Sequence, residues 1–399
     1  MDFSDSPQEA AYRAKVRQWL EQNRISAEEI DADPVGAARA WQARKAAAGF
    51  ACITWPKDWG GPGGSQIEQI IFTEEEAIGT TPENLFMIGL GMCIPTLMFA
   101  ADDETKRRFV APALRGEQIW CQLFSEPGAG SDLAAVRTKA LSAGDGTGDW
   151  LVSGQKVWTS KAHLADFGII LCRSDFSVPK HKGLTMFWID MKSPGIEIVP
   201  ITRMNGVAGF NEVFLDAVRI PDAQRLGAIG EGWKVAVTTL AHERYAVGGT
   251  SGPGWQDLLA YAKERQVGGD DFLSEGDFRA SLADLYLMAE GLRHTRNRTI
   301  TALARGNSPG PEMSINKVVG TRYMMDCATL ALEVMGPFGL ASDAGSAAAQ
   351  FRNHFLTSPG SRIAGGTDEI MKNIIAERVL GLPPEVQPDR ERPFDAALN

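Results

Sequence analysis

Gln122–Asp132 reads QLFSEPGAGSD and, a little further on, Trp150–Ser160 reads WLVSGQKVWTS. In the first string a strand-like apolar run leads straight into a turn carrying Gly128 and Gly130. Glycine lets main-chain N–H groups come close to a ligand, and the Ser131 hydroxyl adds a further donor. In the second string Trp158 stands beside Thr159 and Ser160. An aromatic face next to hydroxyls suits stacking on a flat ring and bonding to its edge. Taken one at a time, each string has a plainer reading: a tight turn and a core tryptophan.

Around these strings the chain changes period twice. Over residues 121–228, the short apolar runs Gly168–Cys172, Leu184–Ile189 and Ile196–Ile201 are bounded by Gly, Pro, Asp and Ser. That pattern predicts antiparallel strands of a small barrel or sandwich. Residues 1–120 read as helical. Ser6-Pro7-Gln8-Glu9 is a capping box with proline at the first helical position. Tyr12, Val16, Trp19 and Leu20 follow at helical spacing, and another helix is predicted over Asp103–Leu114. The acidic run Glu74-Glu75-Glu76 reads as a solvated helix face. Residues 229–382 return to helix, with Phe278, Leu282, Leu285, Ala289 and Leu292 on one stripe and Met313–Val334 forming another; long helices with short turns predict a bundle. The tail, 383–399, is proline-rich and charged and reads as loose. The fold class is α+β and multidomain.

At 399 residues the chain exceeds what one core usually fills. A formal net charge of -10 argues against a general nucleic-acid binder, though not against a phosphate-bearing ligand in a local basic pocket. Five scattered cysteines without a CxxC pair read as reduced thiols. The acidic start, MDFSDSPQEA, resembles neither a signal nor a transit peptide, and no run approaches ~18 apolar residues. The expectation is a cytoplasmic protein without a membrane span. His242-Glu243-Arg244-Tyr245-Ala246 begins like the zinc motif HExxH but ends in alanine, so a second ligand one turn on is missing; no metal site is expected. Gly128–Leu133 has leucine where a dinucleotide fingerprint needs its third glycine.

Together, the two opening strings resemble the acyl-CoA dehydrogenase family, in which the equivalent stretches wrap a flavin. Further similarities run along most of the chain. Trp55-Pro56 to Gly61 is similar to the family's early WP..GG turn, and Lys106–Glu117 (KRRFVAPALRGE) to its KxRYLPxLxxGE helix. Ile363–Ile370 (IAGGTDEI), ahead of Arg378–Leu382 (RVLGL), is similar to its C-terminal signature. WCQLFSEPGAGSD and KVWTSKAH are most similar in character to bacterial members acting on bulky acyl-CoAs, such as sterol side chains or dicarboxylic acyl groups. The resemblance implies a helical N-terminal domain, a middle β-domain and a C-terminal four-helix bundle. It also implies bound FAD, an acyl-CoA substrate and an electron-transfer flavoprotein as acceptor. The assembly it implies is a homotetramer built as a dimer of dimers, or else a heterotetramer.

Position by position, the resemblance implies that Gln122, Phe124, Ser125, Gly130, Trp158, Thr159 and Ser160 hold the flavin. Ser131 is expected where flavin phosphate and acyl-CoA meet. Thr367 and Glu369 are expected to reach the cofactor from the bundle, and Arg265 to reach it across a dimer interface. The string at that arginine, Glu264-Arg265-Gln266-Val267, is shorter than the family's ERxxFG and lacks its phenylalanine.

Many family members carry the proton-abstracting glutamate directly before a GT pair near the C-terminus, where this chain has Gly365. A second group places it on an earlier helix within LxxER, matched here by Leu240-Ala-His-Glu-Arg244. Glu243 is therefore the expected base, with Arg244 beside it positioning helix or substrate. The Gly365 N–H and a flavin ribityl hydroxyl are expected to hold the thioester oxygen. On a helix over Trp233–Val247, Glu243 shares a face with Ala236, Thr239, Leu240 and Val247. Partial desolvation there raises a carboxylate's basicity, although from the helix alone an exposed glutamate is the commoner outcome. Ala246, Gly248 and Gly249 either leave room for a wide substrate or serve helix packing. The expected reaction is FAD-dependent α,β-dehydrogenation of an acyl-CoA to the trans-2-enoyl-CoA. The alternatives are a flavin monooxygenase or oxidase on the same fold, and a non-catalytic subunit of a heteromeric dehydrogenase.

Overall fold

The computed structural model describes residues 5–246, 252–267, 271–304, 310, 313–343, 345–386 and 390–396, with the main chain alone at 244–246, 266–267, 303–304 and 313. The chain forms two units, one of residues 1–202, 208–246 and 386–399, the other of residues 203–207 and 247–385.

The first unit opens with α1 (Pro7–Asn23), α2 (Ala27–Ala32), α3 (Pro34–Ala47), α4 (Gln66–Glu76), α5 (Ile94–Ala100) and α6 (Asp103–Leu114). The capping box forms as expected, with Ser6 and Glu9 each satisfying the other's main-chain N–H. The same device starts α2 at Ser26 and α4 at Ser65. Val16, Leu20, Trp41, Phe50, Ile53 and Phe72 form the core of these helices. The acidic run is not a solvated face. Glu75 is 3% exposed and accepts from Arg13 at 2.9 Å and Arg17 at 2.7 Å. Glu76 accepts from the Trp41 indole at 2.7 Å and from Lys45 at 3.1 Å. Arg13 and Arg17 stand one turn apart on α1, so the run closes a seam between α1, α3 and α4. The bond from Arg17, followed by that from Arg13, holds the Glu75 carboxyl below its usual range despite burial.

The strands are β1 (Trp120–Leu123), β2 (Lys139–Ser142), β3 (Trp150–Ser160), β4 (Phe167–Arg173), β5 (Leu184–Asp190), β6 (Ile196–Ile201), β7 (Phe210–Ile220) and β8 (Arg225–Leu226). They form one sheet in the order β6-β7-β3-β2-β4-β5-β8, with β1 on β4. Most pairings are antiparallel, as expected. β1 departs from this and runs parallel to β4, Trp120 opposite Phe167 and Leu123 opposite Ile170. β4 and β5 are buried almost throughout, which matches their unbroken apolar character. α7 (Gly232–Ala246) follows and packs Val235 and Ala236 into a core shared with Phe109, Trp120 and Phe124. Its buried Thr239 hydroxyl lies 2.9 Å from that of Thr96 in α5.

The second unit is helical: α8 (Trp255–Val267), α9 (Gly276–Ala304), α10 (Met313–Met335), α11 (Pro337–Leu340), α12 (Ala347–Ser361) and α13 (Asp368–Ile374). α10 packs against α8, α9 and α12, the four-helix bundle, around Leu258, Phe278, Leu285, Tyr323, Cys327 and Phe351.

The tail is not loose throughout. Phe394 is 4% exposed, and its N–H donates to the Val178 carbonyl at 2.9 Å. All five thiols are free. Burial pushes each of them up, Cys52, Cys172 and Cys327 to about 12 and Cys93 and Cys121 likewise upward. Among the described residues no helix is long and apolar enough to cross a membrane, and no cluster of acidic, His and Cys side chains is arranged to hold a metal ion.

Candidate active site

In the first unit the two opening strings meet. The Val157 N–H donates to the Ser125 carbonyl at 2.9 Å. Lys156, fully buried in β3, donates to the carbonyls of Phe124 at 3.0 Å and Leu171 at 2.7 Å and to the Glu126 carboxylate at 2.9 Å. Glu126 also accepts from the main-chain N–H groups of Arg137 at 2.6 Å and Thr138 at 2.9 Å. Burial by itself would raise the Glu126 pKa, but the charge of Lys156 and these bonds outweigh it and hold the group below its ordinary range. A buried pair this fully bonded fixes geometry more than it adds net stability. Neither residue stands out in the sequence. The signal for Lys156 is its even spacing from buried Val152 along β3, because an inward-facing lysine needs an acid.

Against this pinned base, Glu126 and Ala129 close the turn by reciprocal main-chain bonds of 3.0 Å. Gly128 and Gly130 keep ordinary φ values, and a Cβ on either meets nothing within 4 Å. Neither conformation nor packing within the chain demands glycine there. Ser131 is exposed beside them and Ser125 half-buried, while the Phe124 side chain is turned into the core.

On the other string the β3–β7 register shifts between Lys156 and Thr159. There Trp158 takes φ 60, a left-handed conformation costing a non-glycine residue about 1–3 kcal/mol. Its side chain is not a core residue: it is 57% exposed, edge-on to Phe210 at 5.9 Å. Gln122 Oε1 and Thr159 Oγ1 are enclosed and, among the described residues, have no hydrogen-bond partner, a cost of about 1–3 kcal/mol each. Ser160 is half-buried opposite Phe210. A strained exposed indole, an open glycine turn and two unmatched enclosed oxygens together fit a flat polar ligand that carries phosphate.

Glu243 is half-buried. It lies one turn beyond Thr239 and Leu240, on the face where Ala236 and Thr239 are fully buried. Burial lowers the pKa of the neighbouring His242, which favours its neutral form. Val247, Gly248 and Gly249 lie outside the described residues, as do the side chains of Arg244 and Ala246.

The second unit carries the remaining candidates. Gly365 has φ 65 and Gly366 φ 92, and a Cβ on Gly366 would meet Met371 Cε at 2.5 Å. Thr367 caps α13, accepting from the Ile370 N–H at 3.2 Å, and Glu369 is exposed in the first turn. Asp368, only 3% exposed, accepts from Arg362 at 2.6 Å and Lys317 at 3.2 Å. Burial would raise its pKa, but these two cations outweigh it and hold it low. Arg265 stands half-buried in the last turn of α8, its guanidinium carbon 5.7 Å from the Phe338 ring centre, a cation–π contact. Residues 122–131 and 158–160 thus form one cluster and 365–369 another, with Arg265 in neither.

The acyl-CoA dehydrogenase N-terminal, middle and C-terminal domain families match residues 6–117, 121–218 and 230–380. The chain is 36% identical over 394 residues to acyl-CoA dehydrogenase IpdE1 of Mycobacterium tuberculosis, covering 94% of this chain and 98% of IpdE1. It is 41% identical over 331 residues to acyl-CoA dehydrogenase FadE34 of the same organism, covering 82% of this chain but 44% of FadE34. The fold matches the solved Tcur3481-Tcur3483 steroid ACAD with a TM-score of 0.81 at 25% identity, covering 96% of this chain and 100% of that one. With helical, sheet and bundle regions all matched in order, the chain belongs to the acyl-CoA dehydrogenases, oxidoreductases acting on CH–CH groups.

Proposed function

We propose that this chain catalyses FAD-dependent α,β-dehydrogenation of a bulky acyl-CoA to its trans-2-enoyl-CoA, with Glu243 as the base. The observation that carries the reading is the cluster where QLFSEPGAGSD meets KVWTS. Its exposed Trp158 offers a face for the flavin ring, with Ser125 and Ser160 beside it and Phe124 backing Ser125 from the core side. Gln122 Oε1 and Thr159 Oγ1 offer partners for polar edges, and the turn at Gly130 and Ser131 offers donors to phosphate. Thr367, Glu369 and, across a subunit interface, Arg265 are the further contacts that the family pattern assigns. When bound, FAD supplies the hydride acceptor, a capacity no side chain of the protein has.

The chain's own part is acid–base and electrostatic. The α-proton of an acyl thioester is weakly acidic, so its removal needs both a base and a place for negative charge on the carbonyl oxygen. Glu243, half-buried at the edge of an apolar helix face, takes the proton. The Gly365 main-chain N–H donates to the thioester oxygen, a role that needs no side chain. Arg244 positions the helix or the substrate, and Ser131 contacts the acyl-CoA.

The acyl group is of the steroid or comparably bulky class. The likeness to the solved steroid enzyme and the character of WCQLFSEPGAGSD support this. Electrons leave to an electron-transfer flavoprotein in the cytoplasm. The assembly is a tetramer, of this chain alone or with a second polypeptide, an arrangement that the paired designation of the steroid enzyme supports. Anaerobic stopped-flow bleaching of bound FAD, across acyl-CoAs from butyryl to steroid side-chain thioesters, tests the proposal. A bulky thioester is expected to bleach fastest. Failure to take up FAD, or rapid oxygen consumption with no bleaching by any acyl-CoA, overturns it.

A further inference from the structure

Arg173 and Phe394 belong to none of the clusters above. Arg173 ends β4 and is fully buried. Its guanidinium donates to the main-chain carbonyls of Val136, Lys180 and Ala134. Burying such a cation is costly unless its donors are matched and its faces covered. Phe394, from the far C-terminus, covers one face, with its ring centre 3.8 Å from the guanidinium carbon. Phe176 packs beside that ring at 6.0 Å.

The tail is held there by its own main chain. The Phe394 N–H donates to Val178 at 2.9 Å and the Asp395 N–H to Phe176 at 3.1 Å, and Pro393 pairs with Pro179 in an isolated bridge. The receiving loop, 174–183, is tied in turn to the glycine turn, since Lys180 donates to the Asp132 carboxylate at 2.8 Å. Ala134 and Val136, whose carbonyls Arg173 holds, follow Ser131 and Asp132 almost directly. The tail, Arg173 and the segment carrying Ser131 therefore form one bonded chain of contacts.

We propose that residues 390–396 act as a strap, in which Phe394 covers Arg173 and thereby positions the Ser131–Val136 segment for acyl-CoA. The inference rests on the proposed function in one respect, that Ser131 meets the substrate. Arg173 and Phe394 are positioning residues, acting through that segment and not on the reacting atoms. Their loss should loosen substrate binding while leaving the chemical step and the flavin contacts of β3 in place.

The test uses the FAD-loaded assembly in five forms: wild type, Phe394→Ala, Phe394→Leu, Phe394→Trp and a chain ending at Val386. Amide hydrogen exchange is read over 131–138 and 174–183, together with FAD content and the split between KM and kcat. A desolvated cation–π contact predicts that Phe394→Ala and the shortened chain raise KM for acyl-CoA roughly 5- to 30-fold. Exchange in both segments should quicken, with kcat of the FAD-loaded enzyme within about twofold and FAD lost at most in part, through the Ser131 contact alone. Phe394→Trp, which keeps an aromatic face, should behave as wild type, and Phe394→Leu should fall between. The leucine and tryptophan forms decide the matter should the shortened chain fail to fold. Unchanged exchange over 131–138, or an equal KM in wild type and Phe394→Ala, overturns the strap. So does loss of FAD and kcat together in every variant, tryptophan included. Wild type bleached by no acyl-CoA at all indicts the proposed reaction instead, and the exchange readout, which needs no substrate, still judges whether the strap exists.

Discussion

The turn at Gly128–Ser131 in the first unit and the turn at Gly365–Thr367 in the second are anchored alike and use glycine for opposite reasons. Each has a buried carboxylate matched by cations, Glu126 by Lys156 and Asp368 by Lys317 and Arg362. At Gly128 and Gly130 a side chain would meet only open space, the room that the proposed phosphate contact uses. At Gly365 and Gly366 the backbone is left-handed, and at Gly366 a Cβ would also strike Met371. There the chain's own geometry asks for glycine. The same letter in two signature strings thus leaves open surface in one place and serves conformation in the other. The contrast also bears on the base, since a glutamate at position 365 has to adopt φ 65, whereas Glu243 has a relaxed helical position on α7.

The most severe way to break this comparison is Glu243→Gln. It keeps size and removes the carboxylate proposed as the base, so flavin bleaching by acyl-CoA should slow about 10²- to 10⁴-fold, with FAD content and acyl-CoA affinity little changed. Adding Gly365→Glu to that variant should restore little, because a non-glycine residue there costs about 1–2 kcal/mol in backbone strain. Rates near wild type in the double variant would show that the second turn can host the base after all.

Lys156→Met removes one partner of the buried pair and leaves Glu126 uncompensated. A loss of about 3–5 kcal/mol is expected in urea unfolding, with weaker FAD retention as the glycine turn slackens. Acid probes both anchors together. Glu126 and Asp368 have folded pKa values below their unfolded ones, so the unfolded chain binds their protons more tightly. Their stabilisation is complete above the ordinary carboxylate range, about pH 4, and is lost as pH falls through the lowered values. Melting temperature should therefore hold steady from neutral pH down to about 5 and then fall.

The mildest pair sharpens the contrast itself. Gly365→Ala should cost about 1–2 kcal/mol of stability, while Gly130→Ala should cost under roughly 0.5 kcal/mol yet weaken FAD binding. Equal stability losses at the two positions would erase the distinction.

The fold and family are legible in the sequence because they rest on local matters: caps, strand-length apolar runs, and motif strings that each lie within a dozen residues. What is not legible is pairing over distance. Nothing near Glu74–Glu76 announces that Arg13 and Arg17 lie opposite, so an acidic run reads as solvated when it is an interhelical seam. Phe394 in a proline-rich tail reads as loose because its partner, Arg173, stands far upstream. For the candidate site, the residues that offer contacts appear in the motif strings, while Lys156 and Glu126, which hold the strings together, do so by crossing between them. The exposure of Trp158 depends on a register shift against β7, and no single-strand pattern encodes that.

The buried thiols acquire a meaning once the proposed product is considered. A trans-2-enoyl thioester is an electrophile whose β-carbon accepts a thiolate, so an enzyme that makes one at high local concentration risks alkylating itself. Cysteine attacks as thiolate and hardly at all as thiol. Cys52, the one thiol here that is only half-buried, is pushed up to about 12 by burial, which keeps it in the thiol form at neutral pH. The other four are buried and pushed up in the same direction. The chain is in this sense passivated against its own chemistry, and prolonged turnover should leave the mass of the protein unchanged.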